Sequence, residues 1–235
     1  GLTEWTENLP NLTAIPSLVL FDLDGTLVDS VPDIALGINR ALEEHGISSA
    51  REDDVRNWVG NGVGPLIEHA LRAAIGEPAS TAQVEEVKSA FEAHYAQTNG
   101  LESIVYEGVI ELLDTLRAQS VRTACVTNKP VTFAHDLLAH CQLSSYFPLV
   151  LGGDSLPRCK PDPLPIRHAA RTFNVPLSQT LMIGDSISDI NAALSAPCQI
   201  ICVSYGYNQG VDIHKSGAHR VIDSLSQLAL EFQRD

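Results

Sequence analysis

The chain has 235 residues, 44% of them hydrophobic, enough to bury the core of one large domain or of a domain carrying a sizeable insert. Its 29 acidic side chains outnumber 15 lysines and arginines, so most of its surface repels polyanions, which argues against nucleic acid or an anionic membrane as a partner. Five cysteines (Cys125, Cys141, Cys159, Cys198 and Cys202) form no CxxC pair and have no histidine at zinc-finger spacing, so reduced thiols are expected rather than a disulfide framework or a structural zinc.

The first segment, GLTEWTENLPNLTAIPS, has neither the basic nor the apolar region of a secretory signal, and a cytoplasmic location is expected. The Asn11-Leu12-Thr13 sequon is then incidental. LVLFDLDGTLVDS follows, an apolar strand body running into Asp22 and Asp24. Asp24-Gly25 alone reads as a turn, which leaves Asp22 unexplained. In an extended chain residues two apart face the same side, so both carboxylates can converge just beyond the strand end. There they repel unless a cation lies between them.

Residues from about Pro32 to Asn99 are helical in pattern: PDIALGINRALEEHG, REDDVRNWVG, GPLIEHALRAAIG and STAQVEEVKSAFEAHYAQ. Each stops at or near Gly or Asn, and Ser80 or Thr81 is placed to cap the last. From Val121 onward, VRTACVTN, FPLVLGGD, TLMIGDS, QIICVSYG and HRVIDS read as strands interleaved with or followed by amphipathic segments around Ala134, Ile166, Ile190 and Leu228, with another around Asp114 before them. The Ile190–Val211 stretch carries no charge, but its Pro197, Gln199 and Asn208 mark a helix end, a buried strand and a loop rather than a membrane span. The expected fold is therefore α/β, a Rossmann-like parallel sheet covered by helices on both faces, built from 1–29 and 105–235, with an inserted α-helical domain at 30–104.

In open α/β sheets ligands bind where the strands end. Beside Asp22 and Asp24, TACVTNK ends in Thr127 and Asn128, a hydroxyl and an amide ahead of a helix start, which suits a phosphate and suits a helix cap equally well. Lys160, in the proline-stiffened RCKPDPLPI, supplies one ammonium. LMIGDSISD ends in Asp185, with Ser186 beside it and Asp189 four residues on. One carboxylate there is explained by a helix cap, two are not. Several carboxylates at adjacent strand ends suit a hard cation such as Mg²⁺, which takes one or two of them and keeps phosphate oxygens and waters. A carboxylate can accept a phosphoryl group if cations neutralise the encounter, and a second acid two residues away can protonate the leaving alcohol.

In FDLDGTLVDS, VTNKP, CKPDP and IGDSISD the chain resembles the haloacid dehalogenase superfamily of phosphatases over nearly its whole length. The resemblance implies Asp22 as nucleophile, Asp24 as acid/base, Thr127 as phosphate-binding hydroxyl and Lys160 as the charge-neutralising lysine. It also implies Mg²⁺ held by Asp22, Asp185 and the backbone carbonyl of Asp24, with Asp189 and Ser186 in support and the helical insert as a small cap. An acid at position 24 points to phosphate esters rather than haloacids or phosphonates. VRNWVGNGVGPLIEHAL and VSYGYNQG are similar to the phosphoglycolate phosphatase group, which implies 2-phosphoglycolate as the small phosphorylated substrate, with sugar phosphates such as N-acetylmuramic acid 6-phosphate as the alternative. A phosphomutase and a non-catalytic binding protein are further alternatives.

Within the insert, Arg56, Asn61 and Gly62 are the candidates for contacting the non-phosphate end of the substrate, since a glycine-flanked loop can approach a ligand closely. A monomer or homodimer is expected. Two departures from the group stand out. A longer leader carries Trp5 and Leu9, expected to pack on the core or a neighbouring chain, and Ala196-Pro197-Cys198 stands where the family commonly reads Ala-Gly-Cys.

Overall fold

The computed structural model describes residues 15–233. Trp5, Leu9 and the 11–13 sequon lie outside the described residues. Six parallel strands form the main sheet: β1 (Leu18–Phe21), β4 (Arg122–Val126), β5 (Leu149–Leu151), β6 (Thr180–Gly184), β7 (Gln199–Val203) and β8 (Arg220–Ile222). Their order is β5-β4-β1-β6-β7-β8. The chain thus winds outward from β1 in both directions, and the crevice beside β1 is where such a sheet exposes a ligand site.

Alternation within the strands sorts the core into two layers. Val19, Phe21, Cys125, Leu181, Ile183, Ile201 and Val203 face one way. They pack against α5 (Val109–Ala118), α6 (Val131–His140) and α9 (Leu225–Phe232). Leu18, Leu20, Ala124, Val126, Met182, Ile200 and Cys202 face the other, against α7 (Leu164–Thr172) and α8 (Ile187–Ser195). Strands buried on both faces explain why these runs are continuously apolar.

Between β1 and β4 the chain leaves the sheet through a two-residue antiparallel ribbon, β2 (Val28–Asp29) with β3 (Ile104–Val105), too short to give a sequence signal. Four helices lie between its strands: α1 (Val31–Glu44), α2 (Glu52–Arg56), α3 (Val63–Ile75) and α4 (Thr81–Thr98). They share an apolar cluster of their own, including Ile34, Ile38, Val55, Ile67, Leu71, Val87, Phe91 and Tyr95. Ser80 caps α4, its hydroxyl accepting from the Gln83 amide at 3.2 Å. Pro197 disturbs little: α8 ends just before it, Cys198 N donates to Ala193 O at 2.8 Å, and β7 pairs with β6 from Gln199.

Candidate active site

The ends of β1, β4 and β6 deliver their polar residues to one place. The Asp22 amide still donates to Ile183 O (3.0 Å), so this residue extends the β1–β6 ladder and its carboxylate emerges at a fixed height. The chain then turns at once. Gly25, at φ +83°, donates to Val28 O at 2.9 Å, so Asp24-Gly25 is a tight turn and the second carboxylate of the site together. A Cβ on Gly25 would lie 2.1 Å from Asp185 Oδ2 and 2.9 Å from the Tyr207 ring. Glycine is required there on both conformational and steric grounds.

Lys160 is 3% exposed, and its ammonium has three partners: Asp189 Oδ1 at 2.6 Å, Val126 O at 2.7 Å and Asp22 Oδ1 at 3.2 Å. Three donors meet three acceptors, which makes it a rigid brace between the ends of β1 and β4 and the first turn of α8 rather than a solvated loop charge. Its backbone carbonyl accepts from Asn128 Nδ2 at 2.8 Å, tying the proline-rich loop to the end of β4.

Asp189 is equally occupied. Its Oδ2 accepts from the amides of Asp185 and Ser186 and from Ser186 Oγ at 3.0–3.2 Å, and Ser186, not Asp185, is the N-cap of α8. Asp185 is thereby left to face β1. Its Oδ1 accepts from Thr26 Oγ1 (3.2 Å) and its Oδ2 from the Tyr207 amide (2.7 Å).

Oxygens of Asp22, Asp185 and Asp189 lie within 4.8 Å of one another, all buried. Burial first, then the Asp189 charge, raises the Asp22 carboxyl to about 6 against the opposing pull of Lys160. Burial, then Asp22 and Asp189, also push Asp185 well above the carboxylate range. Clustered buried carboxylates of this kind resist ionisation unless a cation joins them. Hard oxygen donors suit a divalent metal. Because Asp189 already accepts four hydrogen bonds, Asp22 and Asp185 are the carboxylates with capacity for it.

Asp24 makes a different set of contacts. Its Oδ1 accepts a short hydrogen bond from Ser30 Oγ and an ion pair from Lys129 Nζ at 2.8 Å. Asp22, Asp24, Thr127, Asn128 and Lys129 line a cleft closed on the far side by Ile34, Val59, Gly60, Gly62, Leu66, Phe91, Tyr95 and Phe133 from the helical insert and α6. Thr127 Oγ1 accepts from the Lys129 amide at 3.1 Å, and α6 starts later, at Val131 with Pro130 as cap residue. The helix-cap reading of Thr127-Asn128 is therefore not what the chain builds.

Of the insert residues singled out from sequence, Gly62 lines the cleft and two others point away from it. The Arg56 guanidinium donates to Tyr205 O at 3.2 Å and lies 4.9 Å from the centre of the Tyr207 ring. Asn61 Oδ1 accepts from Ser188 Oγ at 2.8 Å, on an exposed edge. Asn128 Nδ2 to Gly60 O (3.1 Å) and Gln209 Nε2 to Val59 O (3.1 Å) add to this row, so residues 56–61 bind the insert to the sheet domain.

Sequence reasoning missed Lys129, Ser30, Tyr95 and Tyr207. Tyr207 carries much of the assembly: its amide holds Asp185, and its hydroxyl accepts from the Ser30 and Val31 amides (2.9 and 3.1 Å) while donating to Asp29 at 2.5 Å. VTNKP and VSYGYNQG contain Lys129 and Tyr207, so the signal lay in those stretches without its direction.

A family model for haloacid dehalogenase-like hydrolases matches residues 19–203, and the chain belongs to that family. Phosphoglycolate phosphatase of Nitrosococcus oceani is 45% identical over 214 residues, covering 91% of this chain and 95% of that protein. The Colwellia psychrerythraea phosphoglycolate phosphatase is 40% identical over 219 residues, covering 92% and 97%. A crystal structure described as a predicted phosphoglycolate phosphatase from Haemophilus somnus 129PT superposes with a TM-score of 0.88 at 35% identity, covering 94% of this chain and 99% of that one. The chain is accordingly an enzyme of the phosphoric monoester hydrolase class, similar to phosphoglycolate phosphatases.

Proposed function

We propose that the enzyme hydrolyses 2-phosphoglycolate to glycolate and phosphate through an aspartyl phosphate on Asp22, with Mg²⁺ as cofactor. The observation that carries this reading is the convergence of Asp22, Asp24, Thr127 and Asn128 on one small cleft, with Lys160 bonded to the Asp22 carboxylate at 3.2 Å. Relatives named phosphoglycolate phosphatase support the substrate.

In this reading Asp22 and Asp185, with the backbone carbonyl of Asp24, hold Mg²⁺, which when bound offsets the charge of the phosphoryl oxygens. Lys160 fixes the Asp22 carboxylate and adds positive charge, so that an anionic nucleophile can approach an anionic phosphate. The Thr127 hydroxyl and the Asn128 backbone hold the phosphoryl oxygens. Asp24 protonates the ester oxygen as the P–O bond breaks, leaving glycolate and a phosphorylated Asp22. As a carboxylate it then takes a proton from the water that attacks phosphorus, which releases phosphate and restores Asp22. Residues 30–104 act as a cap that excludes bulk water while the acyl phosphate exists.

The test is a phosphate-release screen over 2-phosphoglycolate, sugar phosphates and a sugar bisphosphate, with and without Mg²⁺. Preference for 2-phosphoglycolate with metal dependence supports the proposal. Preference for N-acetylmuramic acid 6-phosphate, or phosphoryl transfer between sugar positions without phosphate release, would replace it.

A further inference from the structure

Lys129 is buried, carries charge and has no part in the chemistry assigned above. Its ammonium donates to Asp24 Oδ1 at 2.8 Å and sits 4.7 Å from the centre of the Tyr95 ring. The hydroxyl of Tyr95, itself 2% exposed, has the Lys129 ammonium as its polar neighbour, which can only donate to it, and no acceptor for its own proton, a costly state for a buried donor. Among the described residues Lys129 is the one cation lining the cleft, since Lys160 is fully engaged behind Asp22 and Arg56 is turned towards Tyr205. The rest of the lining includes Ile34, Val59, Leu66, Phe91 and Phe133 and is largely apolar, with Phe91 and Phe133 packed on the Tyr95 ring. One edge of the cleft therefore presents an ammonium with donor capacity to spare and an unsatisfied phenol.

We propose that Lys129 and the Tyr95 hydroxyl form the subsite for a carboxylate on the substrate's leaving group, and so select 2-phosphorylated hydroxy acids. The inference rests on the phosphoglycolate reading and on the placement of Asp24. An acid that protonates the ester oxygen must lie within hydrogen-bond reach of it, and Lys129 lies one hydrogen bond beyond that acid. In a 2-phospho acid the carboxylate is borne by the carbon attached to the ester oxygen, which brings it to the same distance. A lysine gives such a group a point charge that can bond Asp24 and the substrate together. The phenol supplies a second donor in a site shielded from water.

The experiment compares kcat/KM for 2-phosphoglycolate with that for 2-hydroxyethyl phosphate, which has the same chain length and a hydroxyl in place of the carboxylate. Wild type, Lys129→Gln and Tyr95→Phe are measured, with folding checked by thermal melting. Wild type is expected to prefer 2-phosphoglycolate, and Lys129→Gln to lower that preference at least tenfold, because a site built to bond a charged group discriminates strongly against its absence. Tyr95→Phe, which deletes one oxygen and leaves the ring on Lys129, should lower it severalfold, chiefly through KM. If both substrates lose equally in both variants while wild type keeps its preference, Lys129 only positions Asp24 and the subsite is wrong. A wild type without preference overturns the phosphoglycolate reading itself, and this inference with it. Should Lys129→Gln fail to fold, an unchanged preference in Tyr95→Phe overturns the subsite and a lowered one supports it.

Discussion

Asp22 stands at the end of a buried strand, bonded to one lysine and crowded by two further carboxylates. Its charge is costly to the metal-free fold and useful to the chemistry. Asp22→Asn is therefore expected to lower kcat by several orders of magnitude in a protein that remains folded. Stability gives a second readout. The folded-state value of about 6 lies above the ordinary 3.8, so ionising Asp22 destabilises the metal-free protein progressively from about pH 4 to pH 7. In EDTA, Asp22→Asn should match wild type in Tm near pH 4 and equal or exceed it at pH 7. A variant less stable at pH 7 than at pH 4, relative to wild type, would contradict the desolvated-carboxylate account.

Lys160 and Asp185 should fail differently. Lys160→Ala strips Asp22 and Asp189 of a bonded cation at 3.2 and 2.6 Å, and no added metal restores that brace. Asp185→Ala removes one of the two carboxylates proposed to hold Mg²⁺, so part of its activity should return as Mg²⁺ is raised well above the wild-type requirement. Titration of kcat/KM against Mg²⁺ separates the two, and equal rescue would contradict the assignment. Residues at this scale were the most legible in the sequence. Asp22 and Asp24, or Asp185 and Asp189, sit within four positions of each other on recognisable strand ends, so spacing alone places them together. Lys129 and Tyr207 escaped because their partners lie 105 and 178 positions away, and no local pattern aims a side chain across that distance.

Among the elements, the turn after β1 tolerates least. Gly25→Ala would force a positive φ on a side chain and drive its Cβ into Asp185, so loss of both activity and Mg²⁺ affinity is expected, measurable by calorimetry on the folded variant. The 56–61 loop is more forgiving. Its sequence, two glycines around an amide, was compatible with ligand contact, but the register of the insert on the sheet domain turns Asn61 to Ser188 and Arg56 to Tyr205. Asn61→Ala should accordingly cost less than tenfold in kcat/KM and act alike on 2-phosphoglycolate and p-nitrophenyl phosphate, as loss of a single exposed docking bond would. A selective loss on 2-phosphoglycolate would return Asn61 to the substrate. Helix and strand positions were readable because continuous apolar runs and 3.6-residue periods are local; the two-residue ribbon at β2 and β3 was not, since two residues carry no period.

At the scale of the molecule, the winding of the sheet puts β1 between β4 and β6, so three strand ends meet where the helical insert leaves and returns. Tyr207 joins the parts: one residue holds Asp185 in the sheet domain and the first turn of α1 in the insert. No described helix is long and apolar enough to cross a membrane. The proposed mechanism turns on one covalent event at Asp22. Its most direct measurement is rapid acid quench of Asp24→Asn turning over p-nitrophenyl phosphate, whose leaving group needs no acid, followed by peptide mass mapping. Without its base the phosphoenzyme should accumulate, and the peptide containing Asp22 should carry one phosphoryl group in near-stoichiometric amount, absent in Asp22→Asn. Release of p-nitrophenol and phosphate together at every quench time, with that peptide unmodified, would contradict the mechanism.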